Sequence, residues 1–317
     1  MSVAAVDVGS NSVRLLVLDD AGERVLRRIV TTRLAQGVDR TGHLADAAIA
    51  RTVGAIADLR DVWVEAGVST DARHVRIAAT SAVRDASDRD RFLAAVLAEV
   101  GVSVDVISGE EEARLGFTGA SGAVPSEDPC LVIDVGGGST EMVVGRDGGV
   151  LASVSTQLGC VRLTERDLHS DPPTTAERDA ARATAEAVLA GGLASIARDL
   201  APHGIGLADV RTVVAVAGTA TTLAALALDL DDYVESRIHG TVVDAATLDA
   251  LTERLVAMTV AERAALGPVQ PGRGEVLHGG AVVLSAALRL LGRPALVVSE
   301  ADSLDALAAG LLRGSVR

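Results

Sequence analysis

One stretch of this sequence occurs twice. Asp7-Val8-Gly9-Ser10-Asn11-Ser12-Val13-Arg14-Leu15 returns, altered, as Asp134-Val135-Gly136-Gly137-Gly138-Ser139-Thr140-Glu141-Met142. A short apolar run leads into each copy, Val3-Ala4-Ala5-Val6 and Cys130-Leu131-Val132-Ile133, and a second apolar run leaves it. The pattern predicts strand, tight turn, strand, twice over, with an acid closing the first strand and backbone N–H groups lining the turn. Glycine and small hydroxyl residues let such a backbone approach an anion closely. An acid beside a phosphate loop is where a metal ion or an attacking water belongs. The copies are separated by a domain's length rather than a solenoid period. Two related α/β domains are therefore expected, with the two loops facing each other across a cleft for a phosphorylated ligand.

The length of 317 residues suits one large domain or two ordinary ones. Strands are expected at 3–6, 13–18 and 25–31, then a helix over 45–66 with Ile49, Val53, Ile56 and Leu59 at helical spacing. A strand at 75–79, a helix at 89–100, a strand at 102–107 and a helix entered at Ser108-Gly109 complete the first domain. Residues 119–129, rich in Gly, Ala, Ser and Pro, read as the link, so the domains are expected at 1–121 and 122–300, with a helix in 301–317 packing back on the first. Strands at 131–135, 140–144 and 150–156 restart the pattern. A long helix follows Pro172-Pro173, with Thr174 and Glu177 at capping-box spacing, and runs to about Leu200. A strand at 212–216 ends in Gly218-Thr219, where a helix begins, and 237–244 reads as a loop plus a short strand. Further helices run to about Leu266, over 275–290 and over 303–312, with a strand at 296–298. Three strands followed by alternating helix and strand predict a mixed sheet covered by helices.

Charge and composition remove several function classes. A net charge of -14 argues against a nucleic-acid or anionic-membrane surface. Aromatics are 1% of the chain, too few for base-stacking platforms. All 29 Lys-plus-Arg positions are Arg, so a GxxxxGK phosphate loop is excluded and any anion must be held by Arg, backbone N–H or metal. Cys130 and Cys160 show neither metal-ligand nor redox spacing, which suits buried thiols in a reducing cytoplasm. No signal peptide or membrane span is expected. No His is followed by Asp, no His cluster suggests a metal site, and no GxSxG elbow occurs.

Other segments add candidate residues. Ser108-Gly109-Glu110-Glu111-Glu112-Ala113-Arg114 places acids in a first helical turn. That suits the helix dipole, and neighbouring carboxylates also raise each other's proton affinity, which suits a general base. Thr80-Ser81-Ala82-Val83-Arg84-Asp85 follows a strand, where α/β folds bind ligands, though a helix cap with a surface Arg has the same pattern. Arg273 stands on a turn before a helix. Arg14 lies in a strand pattern and reads equally as a ligand-facing or a solvent-facing residue.

Taken together, AAVDVGSNSVRLLV, ATSAVRDASDRDRF, VISGEEEARLGFTGA, LVIDVGGGSTEMVVG, QLGCVRLTE, VAVAGTATTLAAL, VQPGRGEVLHGGA and VVSEADSLDALAAG resemble, in order, the exopolyphosphatase / guanosine pentaphosphate phosphohydrolase family. The resemblance implies two duplicated ribonuclease H-like domains of the actin / sugar kinase / heat-shock chaperone ATPase superfamily. It implies hydrolysis of terminal phosphate from inorganic polyphosphate, with guanosine pentaphosphate as the alternative substrate. A non-catalytic polyphosphate- or nucleotide-binding sensor is the alternative of another class. Mg²⁺, replaceable by Mn²⁺, is the implied cofactor, and a homodimer is the family habit. By motif match, Glu112 is the implied base, and Asp134 and Glu141 the acids at metal and water, with Glu112 as a third metal-side carboxylate. Asp7, Asn11, Ser12, Arg14, Thr80, Arg84, Gly136, Gly137, Gly138, Ser139, Thr219 and Arg273 form the implied substrate-binding set. Longer members carry a further C-terminal helical domain, which this sequence does not show by Arg317, and Gly274-Glu275 stand where many members have a small residue and Asp. A preference for short polyphosphate is expected.

Overall fold

Each copy of the repeated loop joins two antiparallel strands. In the computed structural model, which describes residues 2–120 and 122–314, β1 (Val3–Val8) pairs with β2 (Ser12–Leu18) and β2 with β3 (Arg24–Thr31). The chain continues through α1 (Val38–Thr41), α2 (Asp46–Glu65), β4 (Val75–Ala79), α3 (Ser81–Asp85), α4 (Arg89–Val100), β5 (Val104–Val106) and α5 (Gly109–Ala120). The five-stranded sheet has the order β3-β2-β1-β4-β5, with β1, β4 and β5 parallel. All six residues of β1 are buried, as a strand covered on both faces requires. Ala4, Val6 and Val8 face a core with Ile56, Leu59 and Trp63 of α2 and Phe92 and Val96 of α4.

The second half repeats this plan. Here β6 (Cys130–Val135), β7 (Thr140–Arg146) and β8 (Gly149–Thr156) are antiparallel neighbours. Then come α6 (Cys160–Asp167), α7 (Thr175–Leu200), β9 (Thr212–Val216), α8 (Ala217–Ala227), α9 (Glu235–Ile238), β10 (Val242–Asp244), α10 (Ala245–Ala257), α11 (Val260–Ala264), α12 (Leu277–Leu291) and β11 (Ala295–Val298). The six-stranded order is β10-β11-β9-β6-β7-β8, with β6, β9 and β11 parallel. Strands β8-β7-β6-β9-β11 thus reproduce β3-β2-β1-β4-β5, the doubled ribonuclease H-like order. Helix α7 starts at the expected capping box and buries Ala181, Ala185, Leu189 and Leu193 on one stripe. Gly192 lets it close on the sheet, because a Cβ there would lie 2.8 Å from Met142 and 2.9 Å from Thr156.

The last described element is α13 (Ser303–Leu312), whose Leu304, Leu307 and Leu311 pack with Val3, Ala5, Leu16 and Leu115. The compact units are accordingly Met1–Leu115 with Ser303–Arg317, and Gly116–Asp302. The division falls inside α5. Leu115 belongs to the core of the first unit, whereas the Phe117 ring fills the space over Gly145 of the second. Ser121 of the expected link, and the last three positions of the 301–317 segment, lie outside the described residues.

Helix α6 is absent from the sequence expectation. Nothing local marks its start: Gly159 has no side chain with which to cap it, and its first N–H groups are satisfied by a distant loop instead. Strand β5 is shorter than the expected 102–107. Among the described residues, no helix is long and apolar enough to cross a membrane.

Candidate active site

In the first unit the carboxyl ends of β1, β4 and β5 are tied together. The Thr80 N–H donates to the Val8 carbonyl at 3.2 Å and the Ile107 N–H to the Ala79 carbonyl at 3.1 Å. The Ser10 and Ser81 hydroxyls are 2.9 Å apart. The turn after β1 closes with the Gly9 N–H on the Ser12 carbonyl at 3.0 Å. The Asn11 carbonyl accepts from the Thr32 and Arg33 N–H groups, each at 2.9 Å, and the Ser10 carbonyl from Ala35 at 2.9 Å. Parallel strand ends in α/β sheets are where ligands bind, and Asp7, Asn11, Ser12, Thr80, Arg84 and Glu112 all belong to this edge of the unit.

Glu112 sits in the first turn of α5 with its side chain 14% exposed. Its Oε2 accepts from Arg84 Nη1 at 3.0 Å, and Thr80 hydrogen-bonds the same carboxyl. Burial pushes this carboxyl up to about 7; Asp7 adds to the rise, and Arg84 and Thr80 oppose it. The sequence expectation credited the neighbouring acids of the Glu110-Glu111-Glu112 run with this effect. The cause is instead burial first, with Asp7 on β1 adding to it. Glu111 is engaged with Arg76 at 3.2 Å.

Arg84 is not the surface residue that a helix-cap reading allows. Nη1 donates to Glu112 and, at 3.1 Å, to the Ile107 carbonyl, while Nη2 is buried with no hydrogen-bond partner among the described residues. Asn11 Oδ1 is likewise buried and unpartnered. Arg14 turns to Asp7 across the strand pair, so it does not face solvent: its side chain is 15% exposed.

The second unit builds its half from the same strand ends. The Gly136 N–H closes on the Ser139 carbonyl at 3.0 Å, matching Gly9 and Ser12. The start of α6 grips this loop. Cys160 N–H donates to the Gly136 carbonyl at 2.9 Å, and Val161 and Arg162 N–H groups donate to the Gly137 carbonyl at 2.9 and 3.2 Å. Gly159 is required for that approach, because a Cβ on it would lie 2.4 Å from the Gly137 carbonyl oxygen. In a trans peptide the N–H points opposite to the carbonyl. The N–H groups of Gly137 and Gly138 are therefore turned away from α6, and neither has a partner among the described residues. Such an array of N–H groups binds anions.

Asp134 and Glu141 are cross-strand partners, which places both carboxylates on one face. Glu141 is buried and accepts from the Ser155 hydroxyl at 2.7 Å. Among the described residues no group of three or more His, Cys, Asp or Glu side chains is gathered as a cation site. A pair of carboxylates still fits Mg²⁺, which commonly takes one or two protein carboxylates and completes its octahedron with water and substrate phosphate.

Arg273 reaches the start of α8 at Gly218, the residue before Thr219. Ala217 there holds a left-handed φ of 63°. The Thr219 hydroxyl donates to the Val135 carbonyl at 3.3 Å. A Cβ built on Gly218 would lie 2.0 Å from Arg273 Nη1, so only glycine admits the guanidinium at this place. Nearby, the Tyr233 hydroxyl donates to Glu300 Oε1 at 2.6 Å, and burial followed by the Glu300 charge raises its pKa. Gly218, Tyr233 and Glu300 are absent from the sequence-derived set. Gly218 was legible only as one glycine of the VAVAGTATT motif, and the Tyr233–Glu300 contact has no sequence signal.

The arrangement matches known proteins along its whole length. The model of the Ppx/GppA phosphatase family matches residues 17–312. Exopolyphosphatase 2 of Mycobacterium tuberculosis is 44% identical, with 98% of each chain covered. The crystal structure of an exopolyphosphatase-like protein superposes with a TM-score of 0.89 at 34% identity, covering 100% of both chains. The Aquifex aeolicus member of the Ppx/GppA family gives 0.76 at 29% identity, covering 100% of this chain and 99% of that one. With the paired strand-end loops, the buried Glu112 and matches of this extent, the chain belongs to the Ppx/GppA phosphatase family.

Proposed function

We propose that this chain is an exopolyphosphatase that releases orthophosphate from the end of inorganic polyphosphate. The observation that carries this reading is Glu112, a buried carboxyl with its proton affinity raised to about 7, next to an Arg84 that keeps one guanidinium nitrogen unpartnered. A carboxyl so poised takes a proton near neutral pH. Water attacks the terminal phosphorus, and Glu112 takes the water proton. The new P–O bond forms as the bridging P–O bond breaks. The leaving oxygen stays on the shortened chain as a phosphate oxygen, so no strong acid is needed to protonate it.

The anionic transition state calls for fixed donors. In the first unit Arg84 Nη2 is such a donor beside Glu112; the second unit separately presents the Gly137 and Gly138 N–H groups as an anion-binding array. Asp134 and Glu141 would hold Mg²⁺, which when bound supplies charge neutralisation of the phosphate oxygens. Of the four aromatic residues, Trp63, Phe92 and Phe117 are buried in cores, and only Tyr233, with its hydroxyl bonded to Glu300, stands near Arg273. This favours polyphosphate over guanosine pentaphosphate, whose base needs stacking or edge recognition. Cys130 and Cys160 are buried free thiols, and burial pushes both up to about 11. Such inert thiols suit a reducing cytoplasm.

The test is phosphate release from tripolyphosphate, longer polyphosphate, guanosine pentaphosphate and ATP in parallel, with and without Mg²⁺. Mg²⁺-dependent release, fastest on polyphosphate, is expected. Release from none of them would refute the reading.

A further inference from the structure

Arg263 is 1% exposed, yet among the described residues its hydrogen bonds go only to main-chain carbonyls. Nε donates to the Gly274 carbonyl at 2.7 Å, and Nη1 donates to those of Leu255, at 3.1 Å, and Met258. Leu255 and Met258 lie at the carboxyl end of α10, whose last carbonyls need partners. One guanidinium thus ties the end of α10 to the turn that carries Arg273. The same turn packs closely on the residue after Arg263: a Cβ on Gly274 would lie 2.9 Å from the Ala264 nitrogen. The Arg273 main chain is pinned as well, its N–H to the Gln270 carbonyl at 3.0 Å and its carbonyl to the Leu277 N–H at 3.0 Å. At the far end of its side chain, the guanidinium occupies the space that a Cβ on Gly218 would need.

We propose that Arg263 is a positioning residue for phosphate binding: it sets the height of the 271–275 turn and so the place of the Arg273 guanidinium at the start of α8. The proposal rests on the reading of Arg273 as a phosphate-binding residue of a polyphosphate hydrolase. Lysine cannot replace Arg263. Its donors radiate from one atom, whereas the planar guanidinium reaches three carbonyls from two of its nitrogens.

The experiment compares Arg263→Lys, Gly274→Ala, Arg273→Ala and the double variant Arg263→Lys/Arg273→Ala. Two readouts are taken: the Gly218 amide resonance in glycine-labelled protein without substrate, and kcat and KM for tripolyphosphate. Arg263→Lys should move the Gly218 resonance toward its position in Arg273→Ala. It should lower kcat/KM ~10–100-fold, the scale of a small misplacement of a binding group. Added to Arg273→Ala, it should change kcat/KM less than ~2-fold, because residues acting through one another are not additive. Gly274→Ala pushes the turn off Ala264 and should repeat both effects, so it decides the matter if Arg263→Lys does not fold. An unmoved Gly218 resonance overturns the proposal, as does a full loss of kcat/KM that persists in the Arg273→Ala background. If the unaltered protein releases no phosphate from tripolyphosphate, the functional reading falls, and the Gly218 resonance alone then decides the positioning role.

Discussion

Arg14 faces Asp7 across the β1–β2 pair, donating to Oδ2 from Nε at 2.9 Å and from Nη2 at 2.5 Å. At the same place in the second unit, Asp134 faces Glu141. The two copies of the repeat therefore differ here: an ion pair in the first, a pair of acids in the second. Two carboxylates on one strand face repel each other, and a cation relieves that repulsion. In the first unit that cation is the Arg14 side chain.

Arg14→Met should destabilise the protein, because it leaves a mostly buried Asp7 carboxylate without its fork partner. A loss of ~3 kcal/mol is expected for breaking a buried pair. Denaturant unfolding at pH 7 measures it. A change within experimental error would show that Asp7 is held by other groups.

Glu141→Gln should raise the Mg²⁺ concentration needed for half-maximal phosphate release by more than ~10-fold, as the loss of one of two carboxylate ligands implies. Mg²⁺ and Mn²⁺ should support activity better than Zn²⁺, since the donors are hard oxygens. Titration of activity after chelation tests both points, and full activity in the chelated protein would remove the metal from the mechanism.

Glu112→Gln should lower kcat by ~10²–10⁴-fold. In the unaltered enzyme kcat/KM should rise with pH up to about 7 and then level, because the base works only when ionised and burial holds its proton until that pH. The sign for stability is opposite. The folded state binds this proton more tightly than the unfolded chain, so stability falls as pH rises from the ordinary carboxylate range to about 7. Glu112→Gln, which stays neutral, should therefore gain stability relative to the unaltered protein on going from pH 5 to pH 8. Melting curves at the two pH values check this.

Arg84→Ala should reduce kcat by ~10²–10³-fold through loss of a preorganised donor. It should also move the acid limb of the pH profile to higher pH, because Arg84 lowers the Glu112 pKa. A limb that stays in place would assign that limb to another group.

Short polyphosphate should be hydrolysed with a higher kcat/KM than guanosine pentaphosphate. A repeating line of phosphate suits Arg and N–H donors, while the core positions of Trp63, Phe92 and Phe117 leave Tyr233 as the one aromatic ring outside a core. Direct competition between the two substrates measures the ratio, and a pentaphosphate preference would reverse the assignment.

The sequence by itself determined the doubled loop, the run of strands that each loop begins, the capping box of α7 and the acids at Glu112, Asp134 and Glu141. These are signals carried by neighbouring residues: turn glycines, apolar alternation and helical spacing. Tertiary structure decided what those residues do. Glu112 owes its proton affinity to burial and to Asp7 on β1, not to the acids beside it. Arg14 turned inward because its cross-strand partner is an acid. The glycine loop presents N–H groups because α6, a helix with no local start signal, holds its carbonyls. Arg273 stands at α8 because Gly218 leaves room and Arg263 holds its turn. Each of these depends on residues far apart in the chain, and a field, a close approach or a shared hydrogen bond between such residues exists only once the chain has folded.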